Sequence, residues 1–302
     1  MRSFQPTTAP PGRLVRLGVV LDTRNPASRL REIARMCERA GIDALWVNEN
    51  LDPLDAEPRL EAWAALTMAV AETERIRVGV QLRADAIPVE ELAAIAADLN
   101  ASIEGRFELS LCATETSGYV RVLREYLQAN GPRISIEART AAQVRAAVDL
   151  ADDVCIPAAS AVDVKTLVGQ IRKACEEAGR HPATLGIALD APISIGRTSA
   201  EAQARADAEP LFSTTGHPEQ VGIFGTLERC QDRVIRVAHD GVTELRCRLP
   251  NTPDVHDVIA QLTAMVMGSV EVLTPDAARS PDPEPPQGWG GRSPDRLEGL
   301  HE

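Results

Sequence analysis

Aromatic residues make up only 3% of the 302 residues, so any packed core must be filled by Leu, Ile, Val and Ala. Lysine is almost absent. Lys165 and Lys173 are the only two and fall on one predicted helix, which leaves no strand-borne amine for Schiff-base chemistry and argues against a barrel lyase or isomerase. A basic excess is missing as well: Lys and Arg number 32 against 44 Asp and Glu, a formal net charge of −12. That balance excludes a nucleic-acid binder and disfavours anionic membrane surfaces. No apolar run approaches the roughly 20 residues that span a bilayer. The polar, proline-bearing start from Met1 to Gly12 lacks a secretory signal, so a cytoplasmic protein is expected.

The six cysteines form no CxxC pair and no zinc-type spacing with histidine, so reduced thiols and no metal are expected. Cys112, Cys155 and Cys247 fall on alternate predicted strands, where small buried hydrophobes explain them better than a soft-metal site. None of His181, His217, His239, His256 and His301 falls on a strand end, which disfavours a histidine base. G-x-S-x-G, G-x-G-x-x-G and P-loop motifs are also missing.

What the chain does have is rhythm. Apolar runs alternate with longer stretches of helical period. Strands are predicted at Leu14–Leu21, Asp43–Val47, Ile76–Leu82, Arg106–Cys112, Arg133–Glu137, Asp153–Ile156, Thr184–Asp190 and Val242–Leu249. Helices follow at Ser28–Ala40, Glu57–Ala71, Val89–Ala101, Gly118–Ala129, Thr140–Ala151, Ala161–Ala178, around Ala200–Glu209, at Pro218–His239 and at Pro253–Met267. Gly41 and Gly241 stand where helices end, a position that favours a left-handed backbone. Eight strand–helix units in about 250 residues predict an α/β fold of the (β/α)₈ TIM-barrel type. A doubly wound sheet shares the alternation but fits the count less well. The expected organisation is a flexible segment 1–12, one barrel domain over 13–273, and a disordered tail over 274–302 that contains Pro281-Asp-Pro-Glu-Pro-Pro286.

Three stretches, in order, resemble the luciferase-like monooxygenase family, whose members bind FMN or the deazaflavin F420. One is Glu38-Arg-Ala-Gly-Ile-Asp-Ala-Leu-Trp-Val-Asn-Glu-Asn50. Another is Thr73-Glu-Arg-Ile-Arg-Val-Gly-Val80, with Gly105-Arg-Phe107 beyond it. The last is Gly216-His-Pro-Glu-Gln-Val221 with Asp240-Gly-Val-Thr-Glu-Leu245. The resemblance implies the same barrel, a reduced FMN or F420 at the C-terminal mouth, and either hydride transfer to a C=C or C=N bond of a small organic substrate or monooxygenation. It also implies a homodimer, or a heterodimer with a related subunit, formed through helices near the second and third strands.

The chain departs from the family in three places. Glu49-Asn50 replaces Asp-His. Cys112-Ala113 replaces Cys-Arg, which removes a phosphate-binding cation. Only Glu115 to Pro132 separates the fourth and fifth strands, so the usual cover over the substrate is short. These losses favour, as the alternative, a degenerate partner subunit or cofactor-holding protein.

Catalytic candidates are Glu49 and Asn50, at the end of the second strand. Glu49 is a proton donor if burial raises its pKa, or else the partner of Arg83 in an ion pair. Candidates for cofactor binding are Gln81 and Arg83 after the third strand, Cys112 after the fourth, and Ala138, Arg139 and Thr140 after the fifth. Gln81 suits the pyrimidine edge of the ring. Arg139 and Thr140 open a helix whose free N–H groups and dipole suit a phosphate. Thr140 is equally a plain N-cap beside a solvent-facing Arg139. Asp22 and Asp190 end strands and either face the mouth or cap loops.

Overall fold

A computed structural model describes residues 12–49, 60–84, 87–112, 116–128, 131–157, 164–207, 209, 212, 222–250, 252 and 254–267. Its elements alternate as β1 (Arg16–Leu21), α1 (Ala27–Ala40), β2 (Ala44–Asn48), α2 (Ala62–Ala71), β3 (Arg77–Arg83), α3 (Val89–Ser102), β4 (Phe107–Cys112) and α4 (Thr116–Leu127). There follow β5 (Arg133–Glu137), α5 (Ala141–Leu150), β6 (Asp153–Ile156), α6 (Val164–Glu177), β7 (Gly186–Gly196) and α7 (Ser199–Asp207). The last are β8 (Ile223–Thr226), α8 (Leu227–Asp240), β9 (Glu244–Arg248) and α9 (Val255–Met267).

All the strand pairings are parallel. The sheet runs β6-β5-β4-β3-β2-β1-β9-β7-β8, and the additional β6–β7 pairing closes a ring of eight that leaves out β8. This is the (β/α)₈ barrel. The strand–helix crossovers place every strand's C-terminal end on one face, the face where such barrels carry their chemistry.

Two boundaries differ from expectation. The seventh strand does not stop at Asp190. It continues to Gly196, because Ile193–Gly196 pairs with Ile223–Thr226 after the first half of the strand has paired with β6 and β9. The helix expected over Pro218–His239 therefore begins only at Leu227. Its predicted second turn and the residues just after it contain Ile223, Phe224 and Thr226, which suit a strand, and Gly222 and Gly225, which weaken a helix. Gly225 has φ +126°, a backbone conformation that a helix cannot continue.

Helix α1 shows why the layers form. Leu30, Ile33, Ala34 and Cys37 are buried on one stripe, and Gly41 ends the helix at φ +71° with its N–H directed to the Cys37 and Glu38 carbonyls. The strands send every second side chain outward into this apolar layer, as Leu17, Val19 and Leu21 do on β1. The core sits between strands and helices.

The inside of the barrel is different. Strands that are not neighbours can touch only across its interior, and the contacts that do so are charged. Arg16 on β1 reaches across to Glu108 on β4 at 3.3 Å, and charged contacts between adjacent strands join it there: Arg16 with Glu244 on β9 at 3.0 Å and Arg77 on β3 with Glu108 at 3.0 Å. Trp46 on β2 donates from Nε1 to Glu244 at 3.1 Å, and the Arg246 guanidinium lies 3.5 Å above its ring. Arg246 also donates to the Ser110 hydroxyl at 3.3 Å. The indole fits because Gly79 has no side chain: a Cβ there would lie 2.4 Å from its Cζ3.

Candidate functional site

Above the Trp46–Arg246 layer, the strand ends bring polar groups together at the mouth. Gln81 on β3 and Glu137 on β5 meet across it, the Gln81 amide donating to Glu137 Oε2 at 2.5 Å. Arg139, two residues beyond, donates from Nε to the other Glu137 oxygen at 2.7 Å. Gln81 and Glu137 are buried, whereas the Arg139 side chain is 55% exposed. Glu137 thus fixes one edge of the guanidinium and leaves both terminal nitrogens without a partner among the described residues. On the opposite side Arg248 on β9 pairs with buried Asp190 on β7 through Nε at 2.9 Å. Burial alone would lower the Arg248 pKa, but the Asp190 carboxylate outweighs it and the guanidinium stays charged.

Thr140 is the N-cap of α5, with a complete capping box. The Gln143 N–H donates to the Thr140 hydroxyl, and Gln143 Oε1 accepts the Thr140 and Arg139 N–H groups at 3.0 and 2.8 Å. These end groups are satisfied within the chain, so a phosphate here would be held chiefly by the Arg139 guanidinium. Ala138 is buried, and its N–H donates to the Cys155 carbonyl, which keeps the turn against β6.

Glu49 is half-buried at the end of β2 and accepts the Arg83 backbone N–H through Oε2 at 3.0 Å. Its other oxygen has no partner among the described residues. Arg83 itself is exposed at the end of β3. Asn50, Asp85, Ala113 and the Gly216–Val221 motif with His217 lie outside the described residues. The Cys112 thiol, buried at the end of β4, donates to the Leu82 carbonyl at 3.4 Å. Burial foremost, and then the Glu137 and Glu49 carboxylates, push it up to about 12, so it stays a thiol.

The three strand thiols do not converge. Cys247 lies in the outer layer between strands and helices, while Cys155 faces the interior arginine Arg246. Among the described residues no cluster of His, Cys, Asp and Glu would hold a metal ion. Asp22 caps a loop, accepting the Arg24 backbone N–H at 3.0 Å and its side chain at 2.9 Å. Asp190 faces the mouth.

Glu137, Arg248 and the Trp46–Glu244–Arg246 layer were not singled out from the sequence. A signal was present. β4 (F-E-L-S-L-C), β5 (R-I-S-I-E) and β9 (E-L-R-C-R) alternate apolar and polar residues. In strands buried on both faces, that alternation marks the inward positions as polar.

The geometry defines a parallel (β/α)₈ barrel with a charged interior and a mouth bearing an exposed, oriented arginine. Comparison with known proteins gives this class a family likeness. Residues 14–117, the first four strands with the three helices between them, match the family model of luciferase-like monooxygenases. Among solved structures, the chain is similar to the F420-dependent tetrahydromethanopterin reductase of Methanopyrus kandleri, at 14% identity and TM-score 0.69, over 84% of this chain and 99% of that one. It is similar to an F420-dependent secondary alcohol dehydrogenase in complex with an F420-acetone adduct, at 15% identity and TM-score 0.72, over 85% and 99%. A third is the EDTA monooxygenase of Chelativorans sp. BNC1, at 12% identity and TM-score 0.65, over 89% and 96%. At these identities the likeness shows the fold. No helix among the described residues is long and apolar enough to cross a membrane.

Proposed function

We propose that this chain is a luciferase-like oxidoreductase that holds reduced F420 or FMN at the barrel mouth and reduces a C=C or C=N bond of a small organic substrate. The observation that carries this reading is Arg139: an exposed guanidinium beside the end of β5, oriented by a buried carboxylate, whose terminal nitrogens have no partner among the described residues. That group suits the phosphate both cofactors carry, and it stands in for the cation that Ala113 does not supply. Gln81 keeps its carbonyl oxygen for the polar edge of the ring, while its amide is committed to Glu137. The reduced ring, when bound, supplies a hydride to substrate or electrons to oxygen.

The rest falls to the protein. The Trp46–Arg246 layer closes the barrel below the mouth, so substrate and cofactor meet above it. Asp190 and Arg248 form one wall as a compact ion pair. Glu49, with one free oxygen at the rim, is the group placed to hold a proton for the reduced product, a role in general acid catalysis. Hydride transfer needs little more than placement and a proton source, which suits a mouth whose described residues include no histidine, and favours reduction over monooxygenation.

The protein is proposed to act in the cytoplasm as a dimer, with a second copy or a related subunit. Helix α2 (A-W-A-A-L-T-M-A-V-A) bears no charge on any face, although Thr67 and Ala71 are exposed. An uncharged surface helix suits a subunit contact.

A second reading, a cofactor-holding or partner subunit without turnover, draws on the mutual satisfaction of Gln81, Glu137 and Arg139. Equilibrium titration with FMN and F420 separately tests the proposal. One cofactor should bind in the micromolar range, and Arg139→Ala should weaken it about tenfold, the value of one charge-assisted hydrogen-bonding group. Binding without turnover of any C=C or C=N substrate would favour the second reading. Binding of neither cofactor would overturn the first reading and the cofactor-holding form of the second, and leave the partner subunit.

A further inference from the structure

A cavity of about 380 Å³ beside β8 and α8 is lined by Gly222, Phe224, Arg229, Asp232, Arg233 and Arg236. Arg229, Arg233 and Arg236 follow one another at i, i+4 and i+7 on α8, so they share one face of the helix. None of the three forms an ion pair with a carboxylate among the described residues. The single bond they make among the described residues is from Arg236 Nε to the Asp232 backbone carbonyl at 3.3 Å. The contrast with the barrel is sharp: Arg16, Arg77, Arg133, Arg246 and Arg248 are each paired with a carboxylate. In a chain of net charge −12, three guanidiniums that line one cavity without a carboxylate partner among the described residues repel each other and suit an external anion.

The size and shape of that anion follow from the spacing. Residues 229 and 236 are separated by about 10 Å along the helix axis, at 1.5 Å per residue. A single phosphoryl group does not bridge that row, whereas two linked ones do. Phe224 adds an apolar wall, its ring held edge-on to Phe212 at 6.4 Å between centroids. The Asp232 carboxylate is the one repulsive group in the lining, and it accepts a hydrogen bond from a hydroxyl or amine on the ligand's organic part. The acidic remainder of the surface disfavours a long polyanion such as a nucleic acid.

We propose that this cavity is a second site, distinct from the barrel mouth, for an organic diphosphate of the nucleoside-diphosphate class. The diphosphate lies along Arg229, Arg233 and Arg236, and the ring-bearing part lies against Phe224.

Calorimetric titration of the full chain with adenosine diphosphate tests this. Saturable binding is expected below ~1 mM, the range two or three charge-assisted contacts support. Arg233→Gln and Arg236→Gln should each weaken it about tenfold. Phe224→Ala should weaken adenosine diphosphate but not inorganic pyrophosphate. Arg121→Gln, the same charge change at an exposed position on α4, should leave binding unaltered, and so should Arg139→Ala. All the substituted arginines are at least partly exposed, and unchanged thermal melts would verify that the variants fold. Three results overturn the proposal: no saturation, an equal loss in Arg121→Gln, or loss in Arg139→Ala, which would place the nucleotide at the mouth.

Discussion

Glu244 decides whether the barrel interior holds. Burial by itself would raise its carboxyl, but the Arg16, Arg246 and Arg77 guanidiniums outweigh that and draw it from 4.5 down to about 2. A carboxyl depressed on folding contributes stability that is complete above its unfolded value and is lost as pH falls through its folded value. Urea melts should therefore show this contribution intact at neutral pH and disappearing between about 4.5 and about 2. Glu244→Gln leaves two buried guanidiniums short of counter-charge and should cost about 3–5 kcal/mol at neutral pH, while flattening that acid limb. Gly79 is a steric counterpart. Its added methyl would meet the Trp46 ring at 2.4 Å, so Gly79→Ala should destabilise by about 1–3 kcal/mol in denaturant melts, with a disturbed near-ultraviolet tryptophan signal.

At the scale of elements, the resembling stretches explain why the fold was easier to read than the site. Glu38 accepts the N–H groups of Arg75 and Ile76 at 3.2 and 3.1 Å, and Arg106 donates to the Ile76 carbonyl at 2.7 Å. Asp43 accepts the Leu17 N–H at 2.8 Å. These contacts join helix ends and strand starts at the N-terminal base of the barrel, the end that serves stability. The mouth depends instead on contacts between strands far apart in sequence, such as Gln81 with Glu137, which hydrophobic periodicity does not register. β8 escaped for another reason: its four residues pair with an overrun of β7, and they run directly into the helical period of α8. The N-cap of α5 was legible at Thr140, while the Gln143 half of its capping box was not read from the sequence. Thr140→Ala should cost about 1 kcal/mol in thermal or denaturant melts, the usual value of an N-cap hydroxyl.

For the whole molecule, an apolar shell outside the strands supplies the stability, and a charged interior sets a polar floor beneath the mouth. That floor separates the mouth from the base, so the fold can be maintained from below while the mouth departs from its relatives. The central claim is that this mouth holds a flavin-type cofactor by its phosphate at Arg139. The most direct measurement is a crystal structure of the chain with whichever of FMN and F420 binds. The account predicts the phosphate within hydrogen-bonding distance of the Arg139 terminal nitrogens and the ring above the Trp46–Arg246 layer, beside Gln81. A cofactor seated elsewhere, or a phosphate held without Arg139, would contradict it.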